Sequence, residues 1–209
     1  MSHHRRKLGG ALFLTLVFIA CCVISYSFAW YRIVVDPATS VIKAFTTYYF
    51  WAKARVVYDD NTEDAKDYTY DSDSDKNVKA VFTTSLTFLT VGAGVGILTA
   101  IFQIIAIISK SKIFRLLSAI AAMAAAALLA VSFFTFFKIN KAFDDDGHCV
   151  GQDVSDFFTG ETTEIYCNKF MGSKDGTLSD LTWGPYVGWW VLIGGILFGV
   201  LSSICTFLA

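Results

Sequence analysis

The sequence predicts an all-α membrane protein carrying a small extracellular β-sheet, with four transmembrane helices gathered into a bundle. Three observations carry that expectation. The chain has 209 residues, 55% hydrophobic and 16% aromatic but only 17% charged, too few charges to clothe a soluble domain of this size. Leu8–Trp30, Val81–Ile108, Leu116–Phe137 and Tyr186–Ala209 contain no Asp, Glu, Lys or Arg. Each run is long enough to cross about 30 Å of hydrocarbon as a helix. Finally, the charges between the runs are sorted by kind, which sets a topology.

Arg5, Arg6 and Lys7 precede the first run, and Lys110, Lys112 and Arg115 fill the short turn between the second and third. Neither segment holds an acid, whereas every Asp and Glu falls in Tyr31–Ala80 or Lys138–Pro185. The positive-inside rule then places both termini in the cytosol and both long loops outside or in a lumen. The expected order is a cytosolic N-terminus (1–7), helix one (8–30), a first outer loop with strands (31–80) and helix two (81–108). A cytosolic turn (109–115), helix three (116–137), a second outer loop (138–185) and helix four (186–209) follow. The first run exceeds the 7–15 residues of a signal-peptide core, so an uncleaved spanning helix is expected. Plasma and endosomal membranes suit this topology equally.

Aromatic residues cluster at the expected outer interface. Trp30-Tyr31 close the first run, while Trp183, Tyr186, Trp189 and Trp190 open the last, where amphipathic rings favour headgroup level. Pro185 suits the first turn of the final helix. Within the spans, Gly92, Gly96, Gly195, Gly199 and the alanines from Ala119 to Ala127 are small residues that let helices approach closely. Gln103 is the one strongly polar residue at depth and reads as an interhelical hydrogen-bonding amide.

Five cysteines are present. Cys149 and Cys167 are the pair in an exposed loop on the oxidising side, and a disulfide between them is worth about 3 kcal/mol by loop entropy. Cys21 and Cys22 read as apolar filler. Cys205, near the cytosolic end of helix four, is a candidate for reversible lipidation. No Asn-x-Ser/Thr sequon occurs, which leaves the outer loops open to close contact. Asp71, Asp73 and Asp75, with Asp144 to Asp146, read as solvated acidic surface or a weak calcium site. Lys76 replaces the glycine that a calcium loop needs.

In the first outer loop, Tyr49 to Tyr58 alternate with period two, predicting a strand, with an interfacial amphipathic helix as the alternative. Phe50, Ala52, Ala54, Val56 and Tyr58 fall on one face, and Tyr49, Trp51, Lys53, Arg55 and Val57 on the other. Arg32–Val35, Tyr68–Tyr70 and Thr163–Tyr166 are its candidate partners. Tyr49, Trp51, Lys53 and Arg55 are the candidate interface of this outer sheet.

Trp30 and Trp51 are separated by twenty intervening residues, and Tyr49-Phe50-Trp51 stands where claudins carry Gly-Leu-Trp. Lys79-Ala80 resembles the Arg-Ala opening the second claudin helix. Tyr186-Val187-Gly188-Trp189 with Gly194-Gly195 is similar to motifs of the fourth. In layout the whole chain resembles the claudin, peripheral myelin protein and calcium-channel gamma-subunit superfamily. The resemblance implies a left-handed four-helix bundle with an outer sheet. Ala54 and Asp64 stand at the two claudin first-loop cysteines, so that disulfide is absent and Cys149–Cys167 takes its place as a staple.

No catalytic triad, metal motif or carboxylate pair lies within the spans, so no enzyme, no metal and no cofactor is expected. The expected function is a non-enzymatic structural membrane protein that self-assembles or organises membranes through its outer loops. Its expected partners are membrane lipid and either further copies of itself or a larger membrane protein, with no nucleic acid. An accessory subunit of a channel or receptor is the alternative, and a cation-preferring pore the third reading.

Overall fold

The computed structural model describes residues 3–37, 43–58, 61–70, 73–149, 166–175 and 179–209, with the backbone alone at 3–5 and 61–64. In chain order the elements are α1 (His3–Ser27), β1 (Tyr31–Pro37), β2 (Phe45–Tyr49), β3 (Lys53–Tyr58), β4 (Asn61–Thr69) and α2 (Lys76–Ser109). Then come α3 (Lys112–Thr135), a 3-10 turn (Phe136–Lys138), α4 (Ile139–Asp145), β5 (Gly172–Lys174), β6 (Ser179–Pro185) and α5 (Val187–Phe207). The protein is thus mostly helical with one antiparallel sheet. Four helical stretches, Arg6–Ser27, Lys76–Ser109, Lys112–Asp145 and Val187–Phe207, are long and apolar enough to cross a membrane.

Two of these stretches have 34 residues each, about 51 Å of helix, well beyond their charge-free runs. The start of α2 shows why. Asp146 Oδ2 accepts from the backbone N–H groups of Asn77 at 2.9 Å and Val78 at 2.8 Å, and its Oδ1 accepts from Asn77 Nδ2 at 2.7 Å. A carboxylate from the far end of the next helical stretch therefore satisfies first-turn N–H groups of α2 that have no intrahelical partner.

The chain divides into two compact units. One comprises Met1–Ser27, Ser85–Phe134 and Trp190–Ala209, the other Phe28–Thr84 and Thr135–Trp189. In the helical unit, small residues form sockets for large ones. A Cβ on Gly96 would lie 2.5 Å from the Phe18 ring, and one on Gly199 3.1 Å from it. Likewise Leu129 reaches within 2.6 Å of a Cβ placed on Gly92 and 2.8 Å of one on Gly195. Thus α1 and α3 each drive one apolar knob, fully buried, between glycines of α2 and α5. Small residues at these positions let the helix backbones approach closely.

Gln103 of α2 sits at 0% exposure and holds the same unit together by hydrogen bonds. Its Nε2 donates to Ser202 Oγ and Thr206 Oγ1, both at 3.0 Å, while its Oε1 accepts from Thr15 Oγ1 at 3.0 Å. The amide thereby bridges α1 and α5 with its polarity spent inside the fold. Ser203 of α5 donates to the Ala119 carbonyl of α3 at 2.8 Å, joining the remaining helix.

In the other unit the described strands form one sheet in the order β4-β3-β2-β1-β6-β5, every pair antiparallel. Tyr31 and Ile33 are buried and Arg32 is exposed, the period-two signature of one covered face. The expected single strand from Tyr49 to Tyr58 is instead a hairpin. It folds back at Trp51-Ala52, where Phe50 N–H donates to the Lys53 carbonyl at 2.8 Å. No glycine, proline or asparagine marks this turn. Tyr70 does the work from outside, its hydroxyl donating to the Phe50 carbonyl at 2.5 Å with the Lys53 carbonyl at 3.2 Å. Pro185 ends β6 opposite Tyr31 rather than starting a helix. Thr163 to Ile165, part of another expected strand, lie outside the described residues.

Candidate functional site

Register decides which side chains the sheet buries and which it presents. Tyr49 pairs with Tyr31 and so shares its covered face. Its ring packs 5.1 Å from Phe143 and 6.3 Å from Tyr31. Tyr49 is therefore half-buried on the covered face and not on the exposed one. Around it Trp30, Phe136, Phe143, Phe170 and Trp189 complete an aromatic core. Trp30, Trp183 and Trp189 are 2–3% exposed, which removes them from the set of headgroup anchors expected of the sequence. The Trp30 and Trp189 rings pack against other rings instead, and Trp183 donates its Nε1–H to the Lys169 carbonyl at 2.8 Å. Burial pushes the hydroxyls of Tyr31, Tyr49 and Tyr70 well above their ordinary pKa, so they stay neutral in this apolar surrounding.

On the opposite face a single row crosses the sheet. Gly184 pairs with Arg32, Arg32 with Tyr48, Tyr48 with Arg55, and Arg55 with Asp67. The Arg32 guanidinium lies 5.2 Å from the centre of the Tyr186 ring, which is itself 5.4 Å from Tyr48. At the other end Arg55 Nε donates to Asp67 Oδ1 at 2.7 Å and Nη2 to Oδ2 at 3.1 Å, and Lys53 Nζ reaches Oδ2 at 2.5 Å. One carboxylate thus binds two cations, leaving this cluster with a net positive charge on an exposed face. Above it, the hairpin tip presents Trp51 at 44% exposure.

Of the four candidate interface residues, the structure brings Lys53 and Arg55 together on Asp67, sets Trp51 at the tip beside them, and turns Tyr49 inward. Arg32, Tyr48 and Asp67 join the row without having been singled out as interface residues in sequence, and Tyr186, expected as a headgroup anchor, packs beside it. The signal for Arg32 was available, since a lone arginine within Tyr-Arg-Ile-Val-Val must face away from the side that Tyr31 and Ile33 cover. Asp67 became legible only through register, because it lies across the sheet from Arg55.

Hydrogen bonds from Arg55 and then Lys53, reinforced by their charges, hold the Asp67 carboxyl well below the usual carboxylate range. A folded-state pKa below the unfolded value of about 3.9 gives a contribution present in full above that pH. It is lost as pH falls through the folded value. Wild-type β4 is therefore expected to keep its amide-exchange protection at pH 4 and to show a few-fold decrease only under stronger acid. In Asp67→Asn, β4 protection should be a few-fold lower at neutral pH, within the modest range of exposed ion pairs, and unchanged on acidification. Identical acid profiles for the two proteins would show that the cluster does not fasten the strand.

The remaining candidates lie elsewhere. Cys149 and Cys167 form a disulfide with their Cα atoms 6.5 Å apart. Cys21, Cys22 and Cys205 are free thiols. Lys79 is exposed on the first turns of α2, and its N–H donates to the Asp75 carbonyl at 2.8 Å. Gly188 and Trp189 begin α5, where Gly188 N–H donates to the Ala29 carbonyl at 2.9 Å. The acidic residues of the expected calcium surface are partly spent, with Asp146 capping α2 and Asp75 lying 3.0 Å from His148 Nε2. Among the described residues no group of three or more His, Cys, Asp or Glu is placed to hold a metal ion. No protein-family model matches the chain, and no curated protein sequence matches it.

Proposed function

We propose that this chain is a non-enzymatic, claudin-like tetraspan membrane protein that assembles with copies of itself through the exposed face of its sheet. The observation that carries the reading is the hairpin tip. Trp51 is an exposed indole on a two-residue turn that a buried tyrosine hydroxyl pins from behind. A tip held in this way offers a large apolar contact at little cost in conformational entropy, and Trp, Tyr and Arg are the residues on which interfaces concentrate their energy. Arg32, Lys53, Arg55 and Tyr48 form the polar surround. The neutral, internally bonded Gln103 cluster supports a structural role, because coupled transport and membrane catalysis call for ionisable groups at depth. In the claudin-like reading, Trp30, Trp51, Lys79, Gly188 and Trp189 are the shared positions and the bundle is left-handed.

The test is the mass and composition of the complex extracted from its native membrane in mild detergent, for wild type and Trp51→Ser. The expected result is an assembly of this chain alone. Loss of one anchoring indole, about 2 kcal/mol or more, should weaken that assembly at least about 30-fold. An assembly unchanged in Trp51→Ser would overturn the reading. A fixed ratio with a larger polypeptide would make the chain an accessory subunit instead.

A further inference from the structure

At one end of the helical unit, α3 and α5 part to leave an apolar groove of about 380 Å³, walled by Leu116, Ile120 and Met123 on one side and Ile204, Phe207 and Leu208 on the other. Ala119 and Ser203 form its floor, and the Ser203 hydroxyl is engaged by the Ala119 carbonyl at 2.8 Å. The groove thus meets its occupant with hydrocarbon. Its mouth differs. Leu116 and Phe207 also line an adjoining hollow of about 260 Å³ whose other walls are Lys112 and Arg115. Among the described residues no carboxylate pairs with either cation.

We propose that this groove and its basic mouth form a site for one anionic phospholipid, an acyl chain lying between α3 and α5 and the phosphate held by Lys112 and Arg115. The inference rests on the reading of these helices as membrane spans. Charge complementarity selects the occupant. A helix of a second copy would bring apolar side chains to the groove and leave two cations unanswered, whereas a diacyl lipid with an anionic head answers both parts. The volume is near the lower end of the roughly 300–1,000 Å³ typical of small-ligand sites, which suits a single chain. Lys112 and Arg115 also belong to the basic turn that charge sorting places in the cytosol, where anionic lipids are concentrated.

The experiment uses the full chain in detergent micelles, titrated with phosphatidylglycerol or phosphatidylcholine of identical acyl chains, with bound lipid counted by native mass spectrometry. Phosphatidylglycerol should be retained over phosphatidylcholine. Lys112→Gln with Arg115→Gln should weaken its binding about 30-fold, equivalent to about 2 kcal/mol. Met123→Ala removes an exposed wall of the groove that takes no part in the basic hollow, and should weaken both lipids. Equal retention of the two lipids, or no change in the charge variant, would overturn the proposal. So would inorganic phosphate that competes as well as the lipid, or crosslinks showing a second copy seated in the groove. Alkaline carbonate extraction separates the two levels of the argument. Release of the chain from membranes would overturn the membrane reading and this site together, while retention without lipid preference would overturn this site alone.

Discussion

Gly188→Ala is expected to destabilise the protein by about 3 kcal/mol or more, at the upper end of what overpacking costs. The added Cβ would lie 2.5 Å from Trp30 Cδ1, 2.6 Å from the Phe28 carbonyl oxygen and 2.9 Å from that of Ala29. Two of these three atoms are backbone, and they cannot retreat freely. Gly188 N–H donates to the Ala29 carbonyl, and Tyr186 N–H donates to the Trp30 carbonyl at 2.7 Å. Trp30 is no freer, being 2% exposed with its ring 5.2 Å from that of Phe136. The methyl group therefore breaks the backbone stitch between the start of α5 and the segment after α1, or displaces an aromatic core. Gly194→Ala, six residues along the same helix, is the control. Its Cβ would meet only Cys21 Sγ, at 3.7 Å, so the usual helical gain of up to about 1 kcal/mol over glycine applies. Thermal unfolding of the purified chain in detergent reads both, and Gly188→Ala should melt well below wild type while Gly194→Ala melts at or above it. Equal melting temperatures for the two variants would refute the close-approach account of Gly188.

That glycine also marks how far the sequence could be read. Runs without charge, such as Val81–Ile108, disclose a helix because span length and apolarity are local properties. The disulfide was legible because Cys149 and Cys167 are the two cysteines outside the spans. The carboxylate that clamps the beginning of α2 was not, since Asp146 lies 69 residues beyond Asn77 in the chain. The hairpin at Trp51-Ala52 was hidden for the same reason. Phe50 to Tyr58 alternate well enough to pass for continuous strand, and what bends them is the hydroxyl of Tyr70, twenty residues away. Its glycines at 92, 96, 195 and 199 announced close packing, but that Phe18 and Leu129 fill their sockets is a fact of register between helices. The exposed row from Arg32 to Asp67 follows the same rule. Its members are unremarkable in sequence and become a surface only when four strands align.

Breaking the disulfide is expected to cost about 3 kcal/mol while leaving the folded structure in place. The two cysteines are separated by 18 positions, and the chain-entropy relation assigns a loop of that length about 3 kcal/mol through restriction of the unfolded ensemble. The folded state has other fasteners on the same segment. Asn140 Nδ2 donates to the carbonyls of Tyr166 and Lys169. The Tyr166 hydroxyl donates to the His148 carbonyl at 3.0 Å, and the Tyr31 hydroxyl to that of Phe170 at 3.1 Å. Phe143 and Tyr166 stack edge to face at 5.4 Å. These bonds hold residues 166–170 against α4 and the sheet without the sulfur bridge. Cys149→Ser with Cys167→Ser should therefore show wild-type spectra and amide protection at low temperature and a lowered unfolding midpoint. Reductant should lower the wild-type midpoint by the same amount and leave the variant unchanged. Asn140→Ala supplies the contrast, because it leaves the crosslink intact and removes folded-state bonds, which should loosen amide protection around Tyr166 even at low temperature. A double-serine variant that loses that protection as well would mean that the bridge positions the folded segment itself, and that the loop-entropy account of its contribution is wrong.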